Sequence, residues 1–326
     1  MHINIRSTLI STLAFAMSVQ MGMAQQIEKI KFGDFNQWVT RTIKESAVIG
    51  GDTKTIYEIG PNSTITGNKA YHNGSSPWGT SNVYAKVSGV TKTSNAVYPA
   101  VRSGANKCAK LCTQMEHVKV LGIINMSVMV TGSIFLGEMI EPISSTKNPY
   151  SKMNMGMPYT KRPKSLVFDY KVDMPNVNTR TKATGFSSKK TLPGRDEAAV
   201  FVFLQRRWED AEGNIHAKRV GTGGRTFAQG SKWVNGYKLP IAYGDCSSKP
   251  GYKWLGLRDK SNAYYARNSK GKMVPVVEEG WDSPNATPTH VILMMSSGNG
   301  EPYVGTEGLT LYVDNAVSYT HLTLPT

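Results

Sequence analysis

The chain has little cysteine, a minority of acidic residues and no sustained helical periodicity, and each shortage narrows what it can be. Three cysteines in 326 residues cannot all pair within one chain. Cys108 and Cys112, in CAKLC, would lie on one face of a strand about 13 Å apart at ~3.3 Å per residue, beyond the ~7 Å Cα separation that a disulfide allows. Cys246 stands in a separate loop-like stretch, GDCSSKPG, and could join either only if folding brings it close. A C-x3-C with one distant cysteine is also too sparse for a structural zinc set. The six histidines show no metal-ligand spacing. No G-x-S-x-G elbow, H-E-x-x-H, phosphate-binding loop or dinucleotide fingerprint occurs, so the reactions those motifs carry have no support. No helix-turn-helix, zinc-finger or RNA-recognition pattern occurs either, and no nucleic acid is expected as a partner. Beyond the N-terminal segment nothing is long and apolar enough to cross a bilayer, so no transmembrane segment is expected in the mature protein. No solenoid-period repeat or low-complexity linker divides the chain.

What is present is turn-rich and basic. With 31 Gly, 16 Pro and 40% hydrophobic residues, the composition supports a packed core without reaching the disordered range. Lys+Arg of 38 against Asp+Glu of 23 gives a net charge of +15, which makes an acidic partner physically reasonable: a uronic or sulfated glycan, or lipopolysaccharide. Short apolar or alternating runs recur between Gly, Pro, Asn and Ser clusters, the pattern of a mainly β chain. Leu166, Phe168, Tyr170, Val172 and Met174 alternate with Val167, Asp169, Lys171 and Asp173, predicting an antiparallel strand with one wet face. Ala198–Leu204, AAVFVFL, is continuously apolar and predicts a central strand buried on both faces. The core is expected to contain Leu166, Phe168, Tyr170, Phe201, Phe203, Ile292, Leu309 and Leu311. Two long basic segments, Asn176–Arg195 and Gly244–Asn285, read as surface loops.

The ends read differently from the middle. Residues 1–24 have the form of a secretory signal peptide, with Arg6, an apolar run from Leu9 to Val19, and Gly22-Met23-Ala24 before Gln25. No cysteine follows the apolar run, so the expected location is periplasmic, cell-surface or secreted, without lipid anchorage. Residues 25–316 read as a single domain. The last ten, VSYTHLTLPT (317–326), resemble a translated sequencing adapter and are expected to form a non-native tail outside the fold.

The stretch His290–Asn315, HVILMMSSGNGEPYVGTEGLTLYVDN, joins two apolar runs through a glycine-punctuated loop. Before it come, in order, FGDFNQW (32–38), Pro77-Trp78, AKLCT (109–113), TGSIFLG (131–137), MPYTKRPKSLVFDYK (157–171) and WVNGYKLPIAY (233–243). Together they resemble the putative carbohydrate metabolism domain (PCMD) family, found mainly in secreted and surface proteins of Bacteroidetes. The resemblance implies a β-jelly-roll sandwich of two antiparallel sheets, similar to a carbohydrate-binding module, with a polysaccharide or glycan as partner. Many such modules hold a structural calcium near their first and last strands. Asp34 and Asp314 are the candidate ligands here, although Asn36 stands where those modules often have Glu, and Asp314 also reads as a last-strand turn residue.

Sugar binding calls for an aromatic ring that offers a flat apolar face to a pyranose, beside polar groups that match its hydroxyls. Trp78, among the loop residues SSPWG, is the first candidate, with a rim plug as its competing role; Trp208 beside Arg206 and Arg207 is the second, and Tyr252 with Trp254 the third. Hydrolysis would need two carboxyl groups about 5–5.5 Å or 6.5–9.5 Å apart, one with a raised pKa. The sequence does not show which of its carboxylates converge, and no catalytic residue is assigned. The expected function is therefore a secreted accessory protein that binds a glycan, acidic by charge complementarity, without catalysis. The alternatives are a carbohydrate-active hydrolase with an unrecognised carboxylate pair, and a surface structural or adhesion protein.

Overall fold

The computed structural model describes residues 25–120, 124–185, 188–299 and 301–321, so the expected signal peptide lies outside them. The chain is mainly β, with three short 3-10 turns as the helical elements among the described residues. Among the described residues no helix is long and apolar enough to cross a membrane.

The alternating segment forms the strand Ser165–Asp173, with Leu166, Phe168, Tyr170 and Val172 buried. It lies between Ser231–Pro240 and Thr310–His321 in an eight-stranded sheet that continues through Asn106–Val120. Period-2 patterning puts its apolar side chains on one face, and that face packs against the rest of the protein.

The second large sheet closes on itself. His290–Ser296 pairs with Ala198–Glu209, which pairs with Ile215–Phe227, which runs parallel to Met273–Trp281. Met273–Trp281 pairs with Tyr264–Arg267, which touches Met153–Met155, which pairs with Ser133–Met139, and Ser133–Met139 pairs back to His290–Ser296. Those seven strands make a barrel, with further strands attached outside the ring. The expected jelly-roll sandwich of two antiparallel sheets is corrected to this extent: the second sheet is a closed ring and includes two parallel pairings.

Ala198–Leu204 explains how the two parts join. Val200, Val202 and Leu204 face the eight-stranded sheet and pack with Leu166, Phe168, Leu311 and Val313. Phe201 and Phe203 point the other way, into the barrel, with Phe135, Met155, Tyr264 and Ile292. Both faces of the strand are buried, which is why the sequence shows no alternation there. All eight residues expected in the core are buried, divided between these two clusters.

Three expectations need correction. Gly244–Asn285 is not a surface loop: it supplies two barrel strands, Tyr264–Arg267 and Met273–Trp281, and the turn Lys253–Leu255 that drives Leu255 into the barrel core. Asn176–Arg195 contains the strands Thr179–Lys182 and Lys190–Pro193, paired with each other. The last strand runs on to His321, where Val317–His321 pair with Gln25–Lys29, so the fold does not stop at Ala316. The three cysteines are free, Cys108 and Cys246 buried and Cys112 partly so.

Candidate functional site

The residues that leave the barrel core at the end of Ala198–Glu209 build a polar cleft at one mouth of the barrel. The strand is apolar through Leu204 and then reads Gln-Arg-Arg-Trp-Glu. A register shift between Leu204 and Gln205 re-aims these side chains, as bulges do. The hairpin that follows turns at Asp210–Asn214, where Gly213 has φ +92° and the Asp210 carboxylate accepts the Asn214 backbone N–H at 2.7 Å. That turn sets His216 directly across from Trp208.

The cleft holds about 270 Å³ and is lined by Asn154, Gly156, Arg207, Trp208, Glu209, Arg267 and His290, among others. Barrel mouths are a recurrent place for small-ligand sites. A 420 Å³ cavity near the junction of the two assemblies and a 280 Å³ groove beside the hairpin Val83–Ser94 have mostly apolar linings, without this concentration of polar groups.

Trp208 is 38% exposed, the one tryptophan among the large exposed apolar side chains of the described residues. Its ring stacks on the His216 imidazole, with centroids 5.6 Å apart and planes 15° apart. His216 Nε2 lies 3.0 Å from Asp210, and Nδ1 lies 2.6 Å from Glu279, close enough for an ion pair though off the line of a hydrogen bond. The hydrogen bond with Asp210 is the main cause that raises the His216 pKa, and Asp210 itself is held well below the carboxylate range by Asn214 and His216. The tryptophan is thus backed by a ring that two carboxylates hold in place.

Arg207 runs from the mouth toward the interior. Its Nε donates to Gln205 Oε1 at 2.8 Å and its Nη1 to the Met155 carbonyl at 3.1 Å, while Nη2 is screened from water and has no hydrogen-bond partner. Gly156, at φ +91°, packs so closely that a Cβ there would stand 2.6 Å from Nη2. Gln205 Nε2 donates to Glu278 Oε1 at 2.6 Å, and Glu278 is paired with Arg219 at 2.5 Å. This chain of polar groups carries two guanidinium charges and one carboxylate, with the surplus cation at the mouth. Burial pushes the Arg207 pKa down to about 10. Burial, then the nearby Arg207 charge, push His290 down to about 4, so its imidazole is neutral near pH 7. Glu209, the carboxylate lining the cleft, accepts from the Ser269 hydroxyl at 2.6 Å and its backbone N–H at 2.9 Å, which hold it below the usual range.

The other sequence candidates lie elsewhere. Trp78 is fully buried, edge-on to Phe35 at 5.3 Å, with its indole N–H donating to the Lys31 carbonyl at 3.0 Å. It plugs the core and has no face to offer a sugar. Trp254 packs edge-on to Phe201, and Tyr252 lies against the same barrel cluster, so both support the plug around Leu255. Asp314 accepts from Arg102 Nη1 at 2.6 Å and Asn106 at 3.1 Å, while Asp34 sits exposed against Asn36. Asp314 already has a cation, and no cluster of three or more His, Cys, Asp or Glu suited to a metal occurs among the described residues. Both carboxylates thus already have protein partners. Glu209 is one of the carboxylates that the sequence offers for hydrolysis, whereas Arg207, Arg267 and His290 were missing from the sequence-derived candidates. Arg207 had a visible signal, its place beside Trp208 after an apolar strand; Arg267 and His290 arrive from distant strands and had none.

The sequence model of the putative carbohydrate metabolism domain family matches residues 52–229, more than half of the chain. The chain belongs to this family. The matched segment of this PCMD protein includes Asn154, Gly156, Arg207, Trp208 and Glu209, while Arg267 and His290 lie beyond it. No match is found among the curated proteins. Among solved structures, a putative glycoside hydrolase from Bacteroides thetaiotaomicron VPI-5482 is similar with TM-score 0.47 and 16% identity, over 91% of this PCMD chain and 71% of its own. A putative glycoside hydrolase from Bacteroides vulgatus ATCC 8482 is similar with TM-score 0.43 and 12% identity, over 91% and 96% of the two chains.

Proposed function

We propose that this protein binds a glycan at the barrel mouth without cleaving it, as an exported accessory protein of carbohydrate use. The observation that carries this reading is the Trp208 ring, partly in solvent and stacked on His216, beside a polar cleft. A planar apolar ring next to hydrogen-bonding groups suits the two faces of a pyranose. A general acid would need a carboxyl group with a raised pKa facing the cleft. Glu209 is shifted the other way, and the raised carboxyl groups of Glu58, Asp196 and Asp314 do not line it. In this reading the eight-stranded sheet and the barrel wall that faces it are the two leaves of a jelly-roll-type sandwich, one leaf having curled shut.

A glycan array with a reducing-sugar assay on the same preparation tests the proposal. Retention of a glycan without release of reducing ends is expected, and Trp208→Ala should weaken retention about tenfold or more, or ~1.4 kcal/mol. Release of reducing ends would replace binding with hydrolysis. Neither retention nor release from any glycan would leave the structural or adhesion role in its place.

A further inference from the structure

Apolar side chains on one face of a strand are stabilised by burial, and protein interiors leave few voids larger than a water molecule. Three apolar surfaces of this protein meet without filling the space between them. The hairpin of Val83–Val87 and Val90–Ser94 packs Tyr84 against Ile43 and Ile56 on one face, and turns Val83, Ala85, Val87 and Val90 the other way. A second side is made by Val118, Met126 and Val128, which share a face of the hairpin formed by Asn106–Val120 and Ile124–Thr131. Met139, Met153, Met294 and Tyr150 of the barrel cluster close the third. What remains is the 280 Å³ groove beside the Val83–Ser94 hairpin, which shares no lining residue with the barrel-mouth cleft.

The cations of this mostly apolar groove differ in their surroundings. Lys92 is held by Glu45 at 3.1 Å and Glu116 at 3.8 Å, and the second contact ties the two hairpins together. Lys152, at the end of the turn Pro149–Lys152, lines the groove with no carboxylate in ion-pair range among the described residues. The Ser94 hydroxyl also lines it, screened from water and without a hydrogen-bond partner. From this placement we infer that the groove binds a long-chain fatty acid, its alkyl chain between the two hairpins and its carboxylate on Lys152. An apolar cavity of about 150 Å³ takes up benzene, so 280 Å³ has room for roughly a dozen carbons. Methionine side chains are unbranched and adaptable, which suits a wall that must follow a flexible chain. An ammonium without a counter-charge beside an apolar slot favours a carboxylate head over a neutral one, because a charge-assisted hydrogen bond is the stronger kind.

The test titrates the mature protein calorimetrically with dodecanoate, decanoate, octanoate and decanol, each below its micellar concentration. One fatty acid should bind per chain, about fourfold more tightly for each added methylene, or ~0.8 kcal/mol. Decanoate should bind about fivefold or more tightly than decanol, and Lys152→Gln should remove that preference while leaving decanol binding in place. Ala85→Trp fills the slot from one hairpin and Met126→Trp from the other, and each should abolish binding of all four compounds. An unchanged thermal midpoint separates a filled groove from lost folding; if both filled variants melt early, Lys152→Gln, at a partly exposed position, carries the test. No binding of dodecanoate by the wild type overturns the inference. Affinity independent of chain length, or binding kept by both folded variants with a filled slot, overturns the placement in this groove. Decanol bound as tightly as decanoate overturns the fatty-acid assignment. A wild-type dimer that Ala85→Trp converts to a monomer in size-exclusion chromatography shows a second copy covering the groove and overturns it as well.

Discussion

Arg219 and Arg207 sit on neighbouring strands of the same barrel, joined by one glutamine and one glutamate, and have opposite surroundings. Arg219 is wholly enclosed, paired to both oxygens of Glu278 and lying 3.5 Å over the Phe203 ring. Arg207, at the mouth, has two neutral acceptors and an unpartnered nitrogen. A buried guanidinium held by its own carboxylate is a satisfied pair that is strongly destabilising to break. One left without such a partner carries no comparable structural benefit.

The comparison is broken most directly on the Arg219 side. Glu278→Gln keeps the shape of the side chain but leaves Arg219 buried without a counter-charge, and should cost about 3–5 kcal/mol of stability in urea denaturation. A loss below about 1 kcal/mol would mean that the pair is not essential to the barrel. Burial raises the Glu278 pKa, but Arg219 outweighs it and holds the group below its ordinary value. The contribution is therefore present above the unfolded glutamate pKa and lost as pH falls through the lower folded value.

The barrel itself depends on the segment that reads as a loop. Leu255 is 1% exposed among Phe135, Phe201 and Ile292, so Leu255→Ala should cost about 2–5 kcal/mol, with a shift in the urea midpoint and little change in m. A surface insertion would lose almost nothing. Arg207 gives the contrasting result: Arg207→Met should leave stability within about 1 kcal/mol of wild type, or raise it, because it removes an uncompensated charge. A loss as large as that of Glu278→Gln would show that both arginines serve the core and would erase the contrast.

Strands were legible where the two faces differ in polarity. In Ser165–Asp173 the apolar residues enter the core while the other face carries polar or half-buried residues, of which Asp169 is enclosed by Arg102, Gly236 and Asn315 and Asp173 is exposed; AAVFVFL is continuous because the strand divides two cores. The closure of the barrel was not legible. Tyr264–Arg267 and Met273–Trp281 are flanked by lysines, arginines and glycines, and their burial is created by partners far away in sequence, including a parallel pairing with Ile215–Phe227. The same applies to the tryptophans. Trp78 looks exposed by its polar neighbours, but Phe35 and the Lys31 carbonyl enclose it from a segment more than forty residues earlier. Trp208 was visible because a single strand carries it out of the core, and its support by His216 depends on the register of the hairpin.

The smallest effect sharpens the comparison at the mouth, where two histidines near the cleft are pushed in opposite directions. His216 is raised by Asp210 and Glu279, so its contribution is full below the unfolded imidazole pKa near 6.5 and fades as pH rises through its folded value. His290 is lowered to about 4 by burial and Arg207, so its contribution is full above about 6.5 and is lost as pH falls from there toward 4. Imidazole resonances followed from pH 3.5 to 8.5 should therefore place the two midpoints on either side of the ordinary value. Arg207→Gln should move the His290 midpoint upward and leave that of His216 in place, since Arg207 is a named cause of the first shift and not of the second. If both midpoints move together, the two histidines share one environment, and Trp208 and Arg207 cannot be treated as separate parts of the site.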